Sequence, residues 1–248
     1  MLIFSNLRPV TVLSYYFFKV PMRSICLIPA RGGSKRIPRK NIKLFFGKPL
    51  ILWSIEAALS SGIFDEIYVS TDDIEIAELA ASNGANIPFL RPENISNDYA
   101  IDQEVIDHFL GWMKENKIEA ENLCYLYATA PFITNKTLIG VQKLLEESEA
   151  FMAHTITKYD FPVLKALKKD KNKCLKYMWN EFSSSRSQDL PELFHDAGQC
   201  YFFNLKKSNV EKKVVGYNLP RLYCQDIDTL EDFEQAEIIY EYFLKNKN

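Results

Sequence analysis

The sequence has little of what several common chemistries require. Its 248 residues include only three histidines, His108, His154 and His195, far apart in the chain, so no histidine-based metal cluster is written locally. The five cysteines (Cys26, Cys124, Cys174, Cys200, Cys224) are odd in number, scattered and never spaced Cys-x-x-Cys. That excludes a disulfide framework and a structural zinc site, and it indicates reduced thiols in a cytoplasmic setting. Gly-x-x-x-x-Gly-Lys-Ser/Thr, Gly-x-Gly-x-x-Gly, Gly-x-Ser-x-Gly and His-Glu-x-x-His are all absent. A Walker loop, a dinucleotide fingerprint, a serine-hydrolase elbow and a zinc-protease helix are therefore excluded. The apolar run Val10 to Val20 is broken by Thr11, Ser14 and Lys19 and falls well short of the roughly 20 residues a membrane span needs. It also lacks the basic start and small-residue cleavage site of a signal peptide. Residues 1–21 read as an extension outside the fold and 22–248 as one domain.

What is present is an alternating rhythm. Ser24 to Pro29, Glu66 to Ser70, Ile87 to Leu90 and Asn122 to Tyr127 are strand-like. Between them lie helical patterns: Pro49 to Ser61, a helix capped by Asp72 and ending at Asn83-Gly84, and Asp102 to Asn116. A helix capped by Thr134 follows the fourth strand. This order predicts a doubly wound α/β fold with a mostly parallel sheet. After Ala150 the pattern changes, with strands expected over Phe151 to Thr157, Val163 to Leu167, Leu175 to Trp179 and Leu222 to Cys224. The segment from about 155 to 200 reads as an antiparallel excursion. Thr229 with Asp232 forms a capping box for the last helix.

Charge is nearly balanced at a net of −2, yet Arg31, Lys35, Arg36, Arg39, Lys40, Lys43 and Lys48 fall in one short stretch without an acid. The stretch follows the first strand, where open parallel sheets bind ligands. Ala30-Arg-Gly-Gly-Ser-Lys35 adds Gly32 and Gly33, which let backbone N–H groups approach a ligand, and the Ser34 hydroxyl. Glycines, a hydroxyl and clustered cations suit a polyphosphate. With no aromatic residue interleaved before Phe45, the loop does not suit a nucleic-acid groove. Asp226-Ile-Asp228 supplies two carboxylates that can face one hard cation such as Mg²⁺, although an acidic helix entry has the same composition. Ser185 to Gln199 clusters polar groups among aromatics and fits either a specificity segment or a packed polar loop.

Together, Ala30-Arg-Gly-Gly-Ser-Lys35, Pro38-x-Lys40-Asn41, Val69-Ser-Thr-Asp72, Leu90-Arg-Pro92, Thr129-Ala-Pro131 and Asp226-x-Asp228 resemble the acylneuraminate cytidylyltransferases. The likeness runs from Met22 to about Phe243. Arg186 to Pro191 and His195 to Gln199 look most like the pseudaminic acid members. Tyr127-Ala128 and His195-Asp-Ala-Gly198 depart from the sialic acid pattern and turn the likeness away from N-acetylneuraminate.

The resemblance implies a Rossmann-like nucleotidyltransferase fold that moves CMP from CTP to the C2 hydroxyl of a nonulosonic acid for cell-surface glycans, with Mg²⁺. It implies a homodimer formed through the excursion, with no nucleic-acid or membrane partner. By position, Arg31, Lys40 and Asp228 would be catalytic, and Ala30, Arg31, Gly32, Gly33, Ser34, Lys35, Lys40, Asn41 and Arg91 would hold the nucleotide. Asp226 and Asp228 would hold the metal, and Lys165, Arg186, Gln188, His195 and Tyr127 the sugar acid. Legionaminic or N-acetylneuraminic acid is the alternative substrate, and a non-catalytic nucleotide-sugar binder is the rival from another class.

Overall fold

Ser24-Ile-Cys-Leu-Ile-Pro29 is apolar on both faces, and in the computed structural model, which describes residues 24–207 and 213–245, it becomes the buried strand β1 (Ser24–Pro29). The extension expected over residues 1–21 lies outside the described residues. The other strands are β2 (Leu44–Phe45), β3 (Lys48–Pro49), β4 (Glu66–Ser70), β5 (Asn122–Leu126), β6 (Met152–Lys158), β7 (Leu167–Lys169), β8 (Leu175–Tyr177), β9 (Phe194–Asn204) and β10 (Val214–Asn218). The α-helices are α1 (Leu50–Ser61), α2 (Ile74–Ser82), α3 (Asp102–Glu115), α4 (Asn135–Ser148) and α5 (Leu230–Lys245). The main sheet has the order β10-β6-β9-β5-β1-β4. β4 and β5 both run parallel to β1, β10 runs parallel to β6, and β9 alone is antiparallel to its neighbours. Among the described residues no helix is long and apolar enough to cross a membrane.

Alternation along β1 assigns its two faces. Cys26 and Ile28 pack with Ile51 and Ile55 of α1, Ile76 and Ala80 of α2, and Leu138 and Val141 of α4. Ile25 and Leu27 pack on the opposite side with Val105, Ile106, Phe109 and Met113 of α3. A third cluster sits where the chain leaves β1. Phe45, fully buried, meets Trp53, Phe132, Phe233 and Tyr240 ring to ring, and Ile37 and Ile227 complete the cluster. Ile37 belongs to the cationic loop and Ile227 lies between the two aspartates, so one apolar cluster fixes both halves of the site. Burying side chains of this size contributes about 1.5–3 kcal/mol each.

Several expectations change. Asp73, not Asp72, caps α2, its carboxylate accepting from Ile76 N at 3.1 Å. Ile87 to Leu90 makes a single bridge, Leu90 with Thr71, and Asn86 just before it bridges Tyr68, because Pro88 has no N–H for a ladder. Val163–Lys165 and Arg221–Tyr223 are 3-10 turns, each entered through a proline that starts such a turn readily. β9 is eleven residues long although Asp196 and Gly198 interrupt its pattern; its pairing slips between His154 and Ile156, and Gly198 has φ 60°. The irregular excursion is therefore residues 159–193, carrying the antiparallel β7–β8 hairpin, while 155–158 and 194–200 belong to the main sheet.

Candidate active site

The loop after β1 is built from its own short contacts. Ala30 N donates to Ser70 O at 2.9 Å, and the Asn41 side-chain amide donates to Arg31 O at 2.8 Å. Gly32 N donates to Asp72 Oδ1 at 2.9 Å, which is what Asp72 does in place of capping. A Cβ at Gly32 would lie 2.5 Å from Asp73 Oδ2, so the position admits no side chain, whereas Gly33 faces open space. Arg39 holds φ 56° while its guanidinium binds Asp73 and Glu75 at the start of α2.

A cavity of about 310 Å³ opens beside this loop at the carboxyl ends of β1 and β5. Only four of the seven loop cations line it: Arg31, Lys35, Arg36 and Lys40. The other three are structural: Arg39 anchors α2, Lys43 lies over the Phe233 ring, and Lys48 lies over Trp53 and pairs with Glu56. Ser34, Asn41, Arg91, Asp226 and Asp228 share the cavity, as does Tyr127.

The cavity is electrically compensated. Asp98 Oδ1 lies 2.8 Å from Arg31 Nη1 and Asp98 Oδ2 lies 2.5 Å from Lys35 Nζ. Hydrogen bonding from Lys35, then Arg31, holds the Asp98 carboxyl below the usual range. Asp228 pairs with Arg36 at 2.8 Å and Lys40 at 3.3 Å, and Lys40 also donates to Ile227 O at 2.7 Å. The chain from Cys224 to Thr229 is irregular rather than a strand end, yet Ile227 turns into the aromatic cluster while Asp226 and Asp228 face the cavity. Burial, followed by the Asp228 charge, pushes the Asp226 carboxyl up. A carboxylate held this way gains from a bound cation, and two carboxylates plus phosphate oxygens are the donor set that suits Mg²⁺. No group of three or more His, Cys, Asp or Glu side chains that could hold a metal occurs among the described residues, so further ligands there would be substrate oxygens or water.

The positions singled out for the sugar acid do not converge. Tyr127 lies in the cavity. Lys165 donates to Ser185 O at 2.8 Å and Arg186 forms a two-point pair with Asp189, both within the excursion. Gln188 lines a separate cavity of about 350 Å³ with Tyr159, Phe161 and Leu193. His195 packs against Tyr159, with Nδ1 2.8 Å from Asp196 O, on the end of β9 that lies beside Tyr127. Sequence reasoning missed Asp98, Asp102 and Tyr125, all of which line the cavity. Asp102 is the first residue of α3, and an acid at a helix entry was the available signal; Asp98 becomes visible only when the loops meet.

The chain is similar to known proteins in sequence and in fold. The family model described as cytidylyltransferase matches residues 25–247. A pseudaminic acid cytidylyltransferase of Campylobacter jejuni is 42% identical over 228 residues, covering 88% of this chain and 97% of that protein. An N-acylneuraminate cytidylyltransferase of Streptococcus agalactiae is 28% identical, covering 91% of this chain and 56% of its own length. The solved structure of CMP:2-keto-3-deoxy-manno-octonic acid synthetase complexed with CTP superposes with TM-score 0.63 at 17% identity, covering 89% of this chain and 99% of that one. The chain belongs to the cytidylyltransferase family.

Proposed function

We propose that the chain transfers CMP from CTP to the anomeric C2 hydroxyl of a nonulosonic acid, pseudaminic acid in the first place, in a reducing cytoplasm. The observation that carries the reading is the 42% identity to a pseudaminic acid cytidylyltransferase along 97% of its length, joined to a cavity where loop cations and Asp226-x-Asp228 converge. In this reaction the C2 oxygen bonds to the α-phosphorus with loss of the hydroxyl proton, the bond from that phosphorus to the β-phosphate's bridging oxygen breaks, and pyrophosphate leaves. Such a transfer needs positioning and charge neutralisation more than covalent chemistry. Arg31, Lys35, Arg36 and Lys40 would take the phosphates, with Ser34 and the free space at Gly33 admitting them closely. Asn41 would hold the loop through Arg31 O, and Asp226 and Asp228 would hold Mg²⁺. The ion supplies charge neutralisation at the transferring phosphorus when bound.

The excursion would form a homodimer contact. Phe161, Leu167, Leu175 and Met178 expose 82%, 51%, 60% and 46% of their surface there, which is characteristic of a covered face. Lys165, Arg186 and Gln188 would then serve a partner's cavity. Phe161→Asp should shift the mass measured by light scattering from dimer to monomer; an unchanged mass counts against this part.

Pyrophosphate release from CTP is measured with pseudaminic, legionaminic and N-acetylneuraminic acids in turn. The highest kcat/KM is expected with pseudaminic acid, and none with chelator in excess. Preference for another nonulosonic acid overturns the substrate, and no turnover with any of them overturns the reaction.

A further inference from the structure

The cavity has a second chemical character away from the phosphate loop. Ile95, Ala100 and Val105 give it apolar wall, and the rings of Tyr125 and Tyr127 lie there 5.7 Å apart. Within this part sit one unsatisfied donor group and one acceptor group. Arg91 is 6% exposed, and its buried Nε has no hydrogen-bond partner among the described residues. Burial pushes its guanidinium below the usual range, and the charges of Asp72 and Asp102 are among those that oppose this. A buried N–H left without a direct partner is costly unless something that accepts hydrogen bonds occupies the cavity. Asp102 is the complement: Tyr125 OH donates to its Oδ1 at 2.8 Å and Tyr127 OH donates to its Oδ2. The tyrosines orient the carboxylate and leave it lone pairs that only a further donor can use.

A flat heterocycle fits this combination if its edge carries acceptors beside a donor. Cytosine presents O2 and N3 as acceptors and the N4 amine as a donor. Uracil presents O2 and O4 as acceptors with N3–H between them. Against Arg91 and Asp102, uracil therefore sets N3–H toward a donor and O4 toward a carboxylate. We propose that Asp102, oriented by Tyr125 and Tyr127, accepts the exocyclic amine of the cytosine and with Arg91 makes the site reject uracil. This rests on the proposed cytidylyl transfer and assigns its base specificity to a residue outside the phosphate loop.

Calorimetric titration of the full chain with CTP, UTP and the triphosphate of the pyrimidin-2-one ribonucleoside, with Mg²⁺ and no sugar acid, tests the assignment. The pyrimidinone lacks only the 4-amino group. The wild type is expected to bind it, and UTP, about tenfold to a hundredfold more weakly than CTP, the discrimination typical of a well-placed base-edge contact. Asp102→Asn, which can turn its NH₂ toward uracil O4, is expected to lose most of that preference for CTP over both analogues. If Asp102→Asn weakens all three ligands by one factor, Asp102 only braces the tyrosines and the inference is overturned. Should Asp102→Asn not fold, as judged by its melting curve, the wild type still decides: equal binding of CTP and the pyrimidinone overturns the inference. A wild type that binds CTP but shows no such discrimination leaves the proposed function standing, whereas one that binds no nucleotide removes both.

Discussion

Lys40→Met separates the structural from the proposed chemical work of the cationic loop. Lys40 Nζ donates to Ile227 O at 2.7 Å, lies 3.3 Å from Asp228 Oδ1, and its side chain is only 18% exposed. Methionine keeps the length of the stem and removes the charge and all three donors. The Ile227 carbonyl belongs to a residue 1% exposed, so losing a charged donor there costs about 1.5–3 kcal/mol. In a chain of this size 1 kcal/mol corresponds to about 2–4 °C, so Tm should fall by roughly 3–12 °C. In the proposed reaction Lys40 would face the charge that moves onto the departing pyrophosphate, and losing it would cost about 10²–10³ in kcat. Scanning calorimetry and pyrophosphate release on the same preparation read the two effects separately. A lowered Tm with kcat within about threefold of the wild type would refute the reasoning, because Lys40 would then be a strut beneath Asp228 and no part of the chemistry.

Three further outcomes follow from the geometry. Asp226→Asn should raise Tm at pH 7 without metal while abolishing turnover: the folded-state pKa of Asp226 is raised by burial and by Asp228, so its ionised form opposes folding above that pKa, and an unchanged or lower Tm contradicts this. Asp73→Asn should lower Tm at pH 7, and the gap should narrow as pH falls below about 4, since the Arg39 hydrogen bond depresses the Asp73 pKa and its contribution is lost through that lowered value. A gap that persists in acid places the effect elsewhere. Gly32→Ala puts a methyl 2.5 Å from Asp73 Oδ2, so the α2 cap must move at a cost of about 1–3 kcal/mol, whereas Gly33→Ala should leave Tm unchanged; equal Tm values for both variants contradict the close approach.

The sequence made the parallel half of the fold legible because β1, β4 and β5 are short apolar runs separated by capped helices. The full extent of β9 was hidden because Asp196 and Gly198 break its alternation, and its length depends on pairing with both β5 and β6, which no local pattern encodes. The cationic loop was visible from its cation density, but density overstated convergence: Arg39, Lys43 and Lys48 are drawn to Asp73, the Phe233 ring and the Trp53 ring. Asp226 and Asp228 were legible as a pair, while the buried Ile227 anchor that aims them was not. Asp98, which faces Arg31 and Lys35, was missed because it lies 67 residues from Arg31 and the two meet only when the loop before α3 folds across the end of β1.

The central claim is tested most directly by incubating the full chain with CTP, pseudaminic acid and Mg²⁺ and identifying the products by mass spectrometry. The account expects CMP-pseudaminic acid and pyrophosphate in equal amounts, with neither formed when the sugar acid is withheld. Intact CTP, or CTP hydrolysed without a CMP–sugar conjugate, would contradict it.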